Sequence, residues 1–336
     1  MKPIEEFTDS ATCVSVTLQG LPTVQINEGI AGFFKIEAIR PNGERRTVVD
    51  WQPNLITNSG MDYLGTGRKS AGDIPTEWIG YCRLGVGNYP VDVTDKKLAN
   101  HIAEAPHIGT YNTGVQVDTA PFYHWQHLSY EFATGVAAGI LREVGVGLKI
   151  SDGDLSTRAI LLDGQGDPAE NTVLSDEAIE VTYEIRSYIL DITPIVSQMD
   201  IDGTLYDTIL LPCQIDDTPT ATFQYGGGVY ALTTYDFATL PNIGDELGEP
   251  TSAMDFIAAN YGVPYVAGTY YQDTITSIPY TLSIGAKGVT AIKMHGNFQL
   301  WQMSFTQNID DTWGIPHTAN DTLYIRCRHT WARYTP

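Results

Sequence analysis

Basic residues are scarce in this chain: 19 Lys and Arg stand against 40 Asp and Glu, a net charge of −21 over 336 residues. Nucleic-acid binding draws most of its strength from Lys and Arg displacing phosphate counterions, so this acidity excludes a nucleic-acid-facing role. Cysteine is scarce too. Cys13, Cys82, Cys213 and Cys327 lie far apart and no C-x-x-C pair occurs, which excludes a disulfide framework and a zinc-finger spacing. Four reduced, mostly buried thiols in a cytosolically made protein are expected. No window approaches about 18 uninterrupted apolar residues, so no membrane insertion is expected. The start, Met1 to Glu6, lacks the apolar core of a secretion signal. No repeat of fixed period and no low-complexity tract occurs.

Motifs that carry chemistry are also missing. There is no Gly-x-Ser-x-Gly, and the glycines after Tyr225 are not followed by the Lys-Ser/Thr and helix of a phosphate cradle. His124 and His127 are the closest histidines, but three apart in a strand they face opposite ways and share no metal. The pairs Asp216-Asp217 and Asp310-Asp311 invite a glycosidase reading, which needs two carboxyls facing each other across a sugar. Adjacent residues of strands and turns face apart, and a chain with 40 acids contains such pairs by chance. Asp200 to Gly203 and Ser151 to Asp154 lack the third acid and the later glutamate of a calcium loop, so they read as turns. The expectation is no catalytic residue, no metal and no cofactor.

What is present is strand chemistry. Hydrophobic residues make up 43% and aromatics 10%, enough for a proper core, and 32 glycines with 18 prolines punctuate short elements. Alternation predicts strands near 11–20, 30–40, 78–87, 122–132, 140–150, 155–162 and 180–186, the last with Val181, Tyr183 and Ile185 inward and Glu180, Thr182, Glu184 and Arg186 outward. Pro41-Asn42-Gly43 predicts a turn that makes 30–51 a hairpin. Residues 105–120 read as irregular. Further strands are expected at 205–211, 221–225, 228–234, 280–284, 291–294, 298–305 and 322–333, with a capped helix over Ser252 to Tyr261. A composition change near 191–202 suggests an N-terminal domain over 1–192 and a second β-rich domain over 193–336, whose last strands could pack on the first. The fold class expected is mainly β: antiparallel β-sandwich with a few short helices.

The best-defined local signal is residues 47–65. Thr47, Val48, Val49 and Trp51 favour a strand, which Pro53 and Asn54 are expected to end. Thr57, Asn58 or Ser59 can cap a short helix whose Met61 and Leu64 share a face, with Gly65 at its end. In this structural corner Asn54 and Thr57 are expected to bond backbone, and Trp51 and Leu64 to plug into the sandwich, with Gly60 closing the motif.

An ordered set of motifs then resembles a family of tailed-bacteriophage virion proteins. It comprises Asn54 to Gly60 with Leu64, Leu84-Gly-Val-Gly87, Thr94-Asp95-x-x-Leu98, Arg142-Glu-Val-Gly-Val146, Leu155 to Asp163, Val181 to Arg186, and the end from Phe305 through Trp331 to Arg333. The resemblance is good over 50–190 and sparse between 195 and 295. It implies a multi-copy structural part of a virion (fibre, collar or baseplate-associated), whose partners are other virion proteins and copies of itself. Two other readings stand beside it. One is a protein binding host surface glycans through Tyr225, Tyr230, Tyr261, Tyr265, Tyr270 and Tyr271, whose rings join a flat face to a polar tip. The other is a glycan depolymerase, ranked last because no β-helix period is visible.

Overall fold

The computed structural model describes residues 23–66, 78–148, 153–190, 193, 195–201, 204–215, 259–278, 291–295, 299–307 and 323–335. The strands expected at 11–20, 221–225, 228–234 and 280–284 fall outside these residues, as do Asp216-Asp217, Asp310-Asp311 and most of the expected helix after Ser252.

The described chain is mainly β with one helix, in the order β1 (Thr23–Ile39), β2 (Arg45–Ile56), α1 (Asn58–Thr66), β3 (Tyr81–Gly85), β4 (His101–Gln116), β5 (Tyr123–Phe132), β6 (Gly139–Leu141), β7 (Glu143–Gly147), β8 (Leu155–Ile160), β9 (Asn171–Val173) and β10 (Ala178–Ile189). There follow β11 (Ile195–Ile201), β12 (Thr204–Ile215), β13 (Ala259–Gly262), β14 (Tyr271–Ile278), β15 (Ala291–His295), β16 (Gln299–Gln307) and β17 (Leu323–Arg333).

The sandwich expectation is corrected to a barrel. Eight strands run β10-β5-β4-β3-β7-β8-β2-β1, and β1 pairs back onto β10, closing the ring. Sandwich and barrel strands alternate alike, because both bury one face. The distinction lies in one long-range pairing, Glu28–Ile39 against Ala178–Ile189, which local periodicity does not carry. The lumen is filled by Ile30, Phe34, Ile36, Leu128, Tyr130, Phe132, Val181, Tyr183 and Ile185, so the barrel interior is core.

β1 has three partners. Its first half, Thr23–Ile30, pairs in parallel with β17; its second half pairs antiparallel with β2; its other edge pairs with β10. Through β17 the sheet continues to β14 and β13, while β11, β12, β16 and β15 form a separate four-stranded sheet. Strands beyond residue 193 thus contribute to the eleven-stranded and the four-stranded sheets, while β6 and β9 pair as a third, two-stranded one.

Several local expectations need correction. Pro53 does not end its strand: β2 runs on to Ile56, with Phe33 opposite Pro53 and Gly32 opposite Asn54. The far edge of β2 meets β8 only at Leu55 and Ile56, so before that point a missing N–H costs no ladder bond on that side. Residues 105–116 are not irregular but belong to β4, whose alternation is masked by Pro106 and by a register shift between His107 and Tyr111. Residues 259–261, placed at the end of a capped helix, are with Gly262 strand β13 on the edge of β14. Glu184 faces outward as expected, but it is buried there because neighbouring side chains on the outer wall cover it.

Ends of the barrel are stapled by ion pairs. Arg46 forks onto Glu177, Nε to Oε1 at 2.8 Å and Nη2 to Oε2 at 2.6 Å, and Leu174 N adds a bond of 2.9 Å. The Arg46 bonds outweigh the cost of burial and hold the Glu177 carboxyl down at about 2, against an ordinary value of 4.5. A carboxyl whose folded pKa is depressed stabilises the fold fully above the unfolded pKa, and that stability is lost as pH falls through the folded one. Stability to urea, followed by circular dichroism, is therefore expected to decline between about pH 4.5 and 2. Arg46→Gln is expected to lower stability at pH 6 and to flatten that acid-side decline.

Candidate functional site

The seam between β2 and β8 is the narrowest in the barrel, two residue pairs long, and the 54–66 corner sits on it. Thr57 caps α1: its Oγ1 accepts from Gly60 N at 3.0 Å, while Met61 N makes the first helical bond to Thr57 O at 3.0 Å. The same hydroxyl donates to Leu155 O at 2.6 Å, and Thr57 N donates to Ser156 O at 2.9 Å, extending the seam beyond the strands. Gly60 presses on Ser156 so closely that a Cβ would overlap the Ser156 carbonyl. Its own carbonyl accepts from Trp78 Nε1 at 2.9 Å. Leu64 and Met61 face the core.

Beside the corner lies a buried ionic hub. Glu143 is fully buried and accepts from Gly87 N (3.0 Å), Ala99 N (3.0 Å) and Asn100 N (2.8 Å), and from Arg158 Nε (3.1 Å) and Nη2 (2.8 Å). Arg158 spends its remaining donors on Asp95 (2.7 Å) and on the carbonyls of Tyr89 and Pro90. A carboxylate offers about four lone-pair positions, so Glu143 has no acceptor capacity left for a substrate. Burial and saturation together make this pair an organiser of the 86–100 loop rather than an acid or base. Its members come from four of the ordered motifs: Gly85 and Gly87, Asp95, Glu143, and Arg158.

β17 and the loop before β14 dock on the same corner. Trp331 Nε1 donates to Met61 O at 2.9 Å, Arg333 Nε to Ile56 O at 2.6 Å, and Arg333 Nη2 to Asn58 Oδ1 at 2.6 Å. Tyr265 donates to Asp62 at 2.7 Å, and burial with that bond raises its pKa. Tyr270, held at φ +53, donates to Asn58 at 3.0 Å. Tyr271 lies under the Arg328 guanidinium at 4.0 Å. These three tyrosines, proposed from sequence as binding aromatics, are joined here to α1 and β17. Tyr261 lies on β13, and Tyr225 and Tyr230 fall outside the described residues.

Two members of the corner depart from expectation. Asn54 turns its Oδ1 toward the Tyr183 hydroxyl above Gly32 instead of bonding the corner's backbone. Tyr183 reaches this point from β10 by passing over Gly32 of the intervening β1, and burial raises its phenol pKa. Trp51 does not plug into the core: it is 43% exposed and stacks on His127 of the outer wall. The reason is a bulge. Ile36 pairs Val49 and Phe34 pairs Gln52, so β2 carries one extra residue there, and Asp50 and Trp51 both face out.

His124 faces the lumen and His127 the outer wall, as period two demands. Cys82 and Cys327 are buried and unbridged; burial raises both thiols, Cys327 to about 12. Among the described residues no group of three His, Cys, Asp or Glu is placed to hold a metal ion, and no helix is long and apolar enough to cross a membrane.

Sequence reasoning named the motifs of the hub without seeing that they meet. The available signal was Glu143 and Arg158 themselves, charged residues set in short strands of small and apolar neighbours. Breaking a buried pair leaves an uncompensated charge, so Glu143→Ala is expected to cost about 3–5 kcal/mol in urea denaturation. No family model, curated protein or solved structure matches this chain.

Proposed function

We propose that this chain is a structural component of a bacteriophage tail, working through assembly with other virion proteins and with copies of itself. The observation that carries the reading is the convergence of the ordered motifs on one buried frame. Asp95, Glu143 and Arg158 are consumed by bonds to each other and to backbone, and Thr57 and Gly60 lock the adjoining corner. Residues that give the resemblance its specificity therefore serve shape, the property a particle component contributes. The net charge of −21 fits contacts with protein rather than with packaged nucleic acid. Fibre, collar and baseplate positions are equally compatible with this frame.

Mass spectrometry and cryo-EM of purified virions from the phage that encodes the chain test this directly. Several copies per particle, arranged on the tail symmetry, are expected. Virions that carry no such chain contradict the proposal.

A further inference from the structure

The outer wall of the barrel carries an aromatic platform that the frame does not use. Trp51, from β2, stacks on His127 of β5 with ring centroids 5.4 Å apart and planes inclined by 28°. His127 packs in turn on Trp125 at 4.3 Å. Trp125 lies over Gly114 of the neighbouring strand, where a Cβ would collide with the indole, so the missing side chain there makes room for the ring. Three rings from two non-adjacent strands thus form one stack across the sheet.

Its polar partners are fixed in advance. Glu184, on the strand next to His127, bonds His127 Nε2 through one oxygen and Arg186 Nε through the other. Burial raises the Glu184 carboxyl, but these two bonds outweigh it and hold the pKa below the ordinary range. The Arg186 guanidinium lies over the rings of Phe33 at 4.1 Å and Tyr123 at 4.7 Å. His127 and Arg186 keep 25% of their side-chain surface open while Glu184 keeps 9%. The carboxylate is an anchor beneath, and the two cation-capable groups present their edges to solvent.

Trp51 itself stays 43% exposed, whereas Trp78 and Trp331 are 0% and 2% exposed and hydrogen-bond into the corner. An indole left in water forgoes the stabilisation of burial, roughly 25 cal/mol per Å². On this wall the register sets Lys35 of β1 beside Thr182 of β10 and Ser129 of β5, and Phe33 of β1 beside Glu184 and His127. A flat apolar face with a rim of oriented hydrogen-bonding groups suits a ligand that is itself apolar on one face and hydroxylated at its edge. The acidity of the chain disfavours polyanionic ligands.

We propose that this platform is a binding site for a neutral saccharide, with one sugar ring stacked on Trp51 and its edge hydroxyls met by His127 and Arg186. The site is separate from the tyrosines singled out in the sequence, and it does not depend on the assembly role. No covalent step is involved.

The test uses the full chain with soluble maltoheptaose, cellopentaose and chitopentaose, read by tryptophan fluorescence and saturation-transfer NMR. At least one of the three is expected to shift the emission and to receive saturation at millimolar concentration. Trp51→Ala is expected to weaken that binding by about tenfold or more, roughly 1.4 kcal/mol, with unchanged circular dichroism, and Trp51→Phe to retain part of it. Glu184→Gln, which loosens the anchor, is expected to weaken it less. The proposal is overturned if none of the three sugars binds at about 10 mM, a concentration that reports even very weak sites. It is also overturned if binding is indifferent to Trp51→Ala, or if that substitution instead dissociates an oligomer, which would make the wall an interface between copies. Failure here would leave the presence of the chain in virions unaffected.

Discussion

The pairing of β1 along both of its edges is the constraint on which the described structure rests. Seventeen residues, Thr23–Ile39, hydrogen-bond to β10 on one side and to β17 and then β2 on the other. The β10 contact closes the barrel and removes the free sheet edge that an open β-sheet would expose. The β17 contact carries the sheet outward to β14 and β13. One strand is therefore both a barrel stave and the root of the extension, and the two share a core at Trp331.

A closed barrel still has a weak place where β2 and β8 meet over two residue pairs. The chain reinforces it from three directions. Thr57 and Gly60 bring the first turn of α1 onto the Ser156 backbone. Trp331 and Arg333 reach in from β17, and Tyr265 and Tyr270 hold the loop before β14 against α1. Close by, Glu143 and Arg158 gather the long 86–100 loop. A buried ion pair is weak support for stability as such, since its desolvation cost is large. Its effect here is on specificity: five donors on one carboxylate fix a loop that has no strand ladder of its own. Glu143 and Arg158 are thus spent on architecture.

How much of this was legible in the sequence follows from what each feature needs. Alternation is local, so β5, β10, β16 and β17 could be read from it, as could the Asn42-Gly43 turn joining β1 to β2. The Thr57 cap and the shared face of Met61 and Leu64 were legible because capping and helical period are local; Gly65 was not the stop, since α1 runs on to Thr66 and Gly65 is not at positive φ. Closure was not, because it joins residues about 150 positions apart, and sandwich and barrel strands share one period. Trp51 was misplaced because the bulge adds one residue between Val49 and Gln52 and reverses the phase of the strand. The outer platform was invisible because it is long-range: Trp51 on β2 and Trp125 on β5 come within reach only when the ring closes, with β1 and β10 between their strands. Glu184 looked like an ordinary outward acid until the rings around it were placed.

The central claim is that barrel and extension are one cooperative unit rooted in β1. Native-state hydrogen exchange, followed peptide by peptide in rising urea, addresses it most directly. If the claim holds, amides of β1, β10 and β17 merge into a single opening reaction with the free energy of global unfolding. If β17 and β14 open together at a much lower free energy while β1 and β10 stay protected, the extension is a separate unit and the account is wrong.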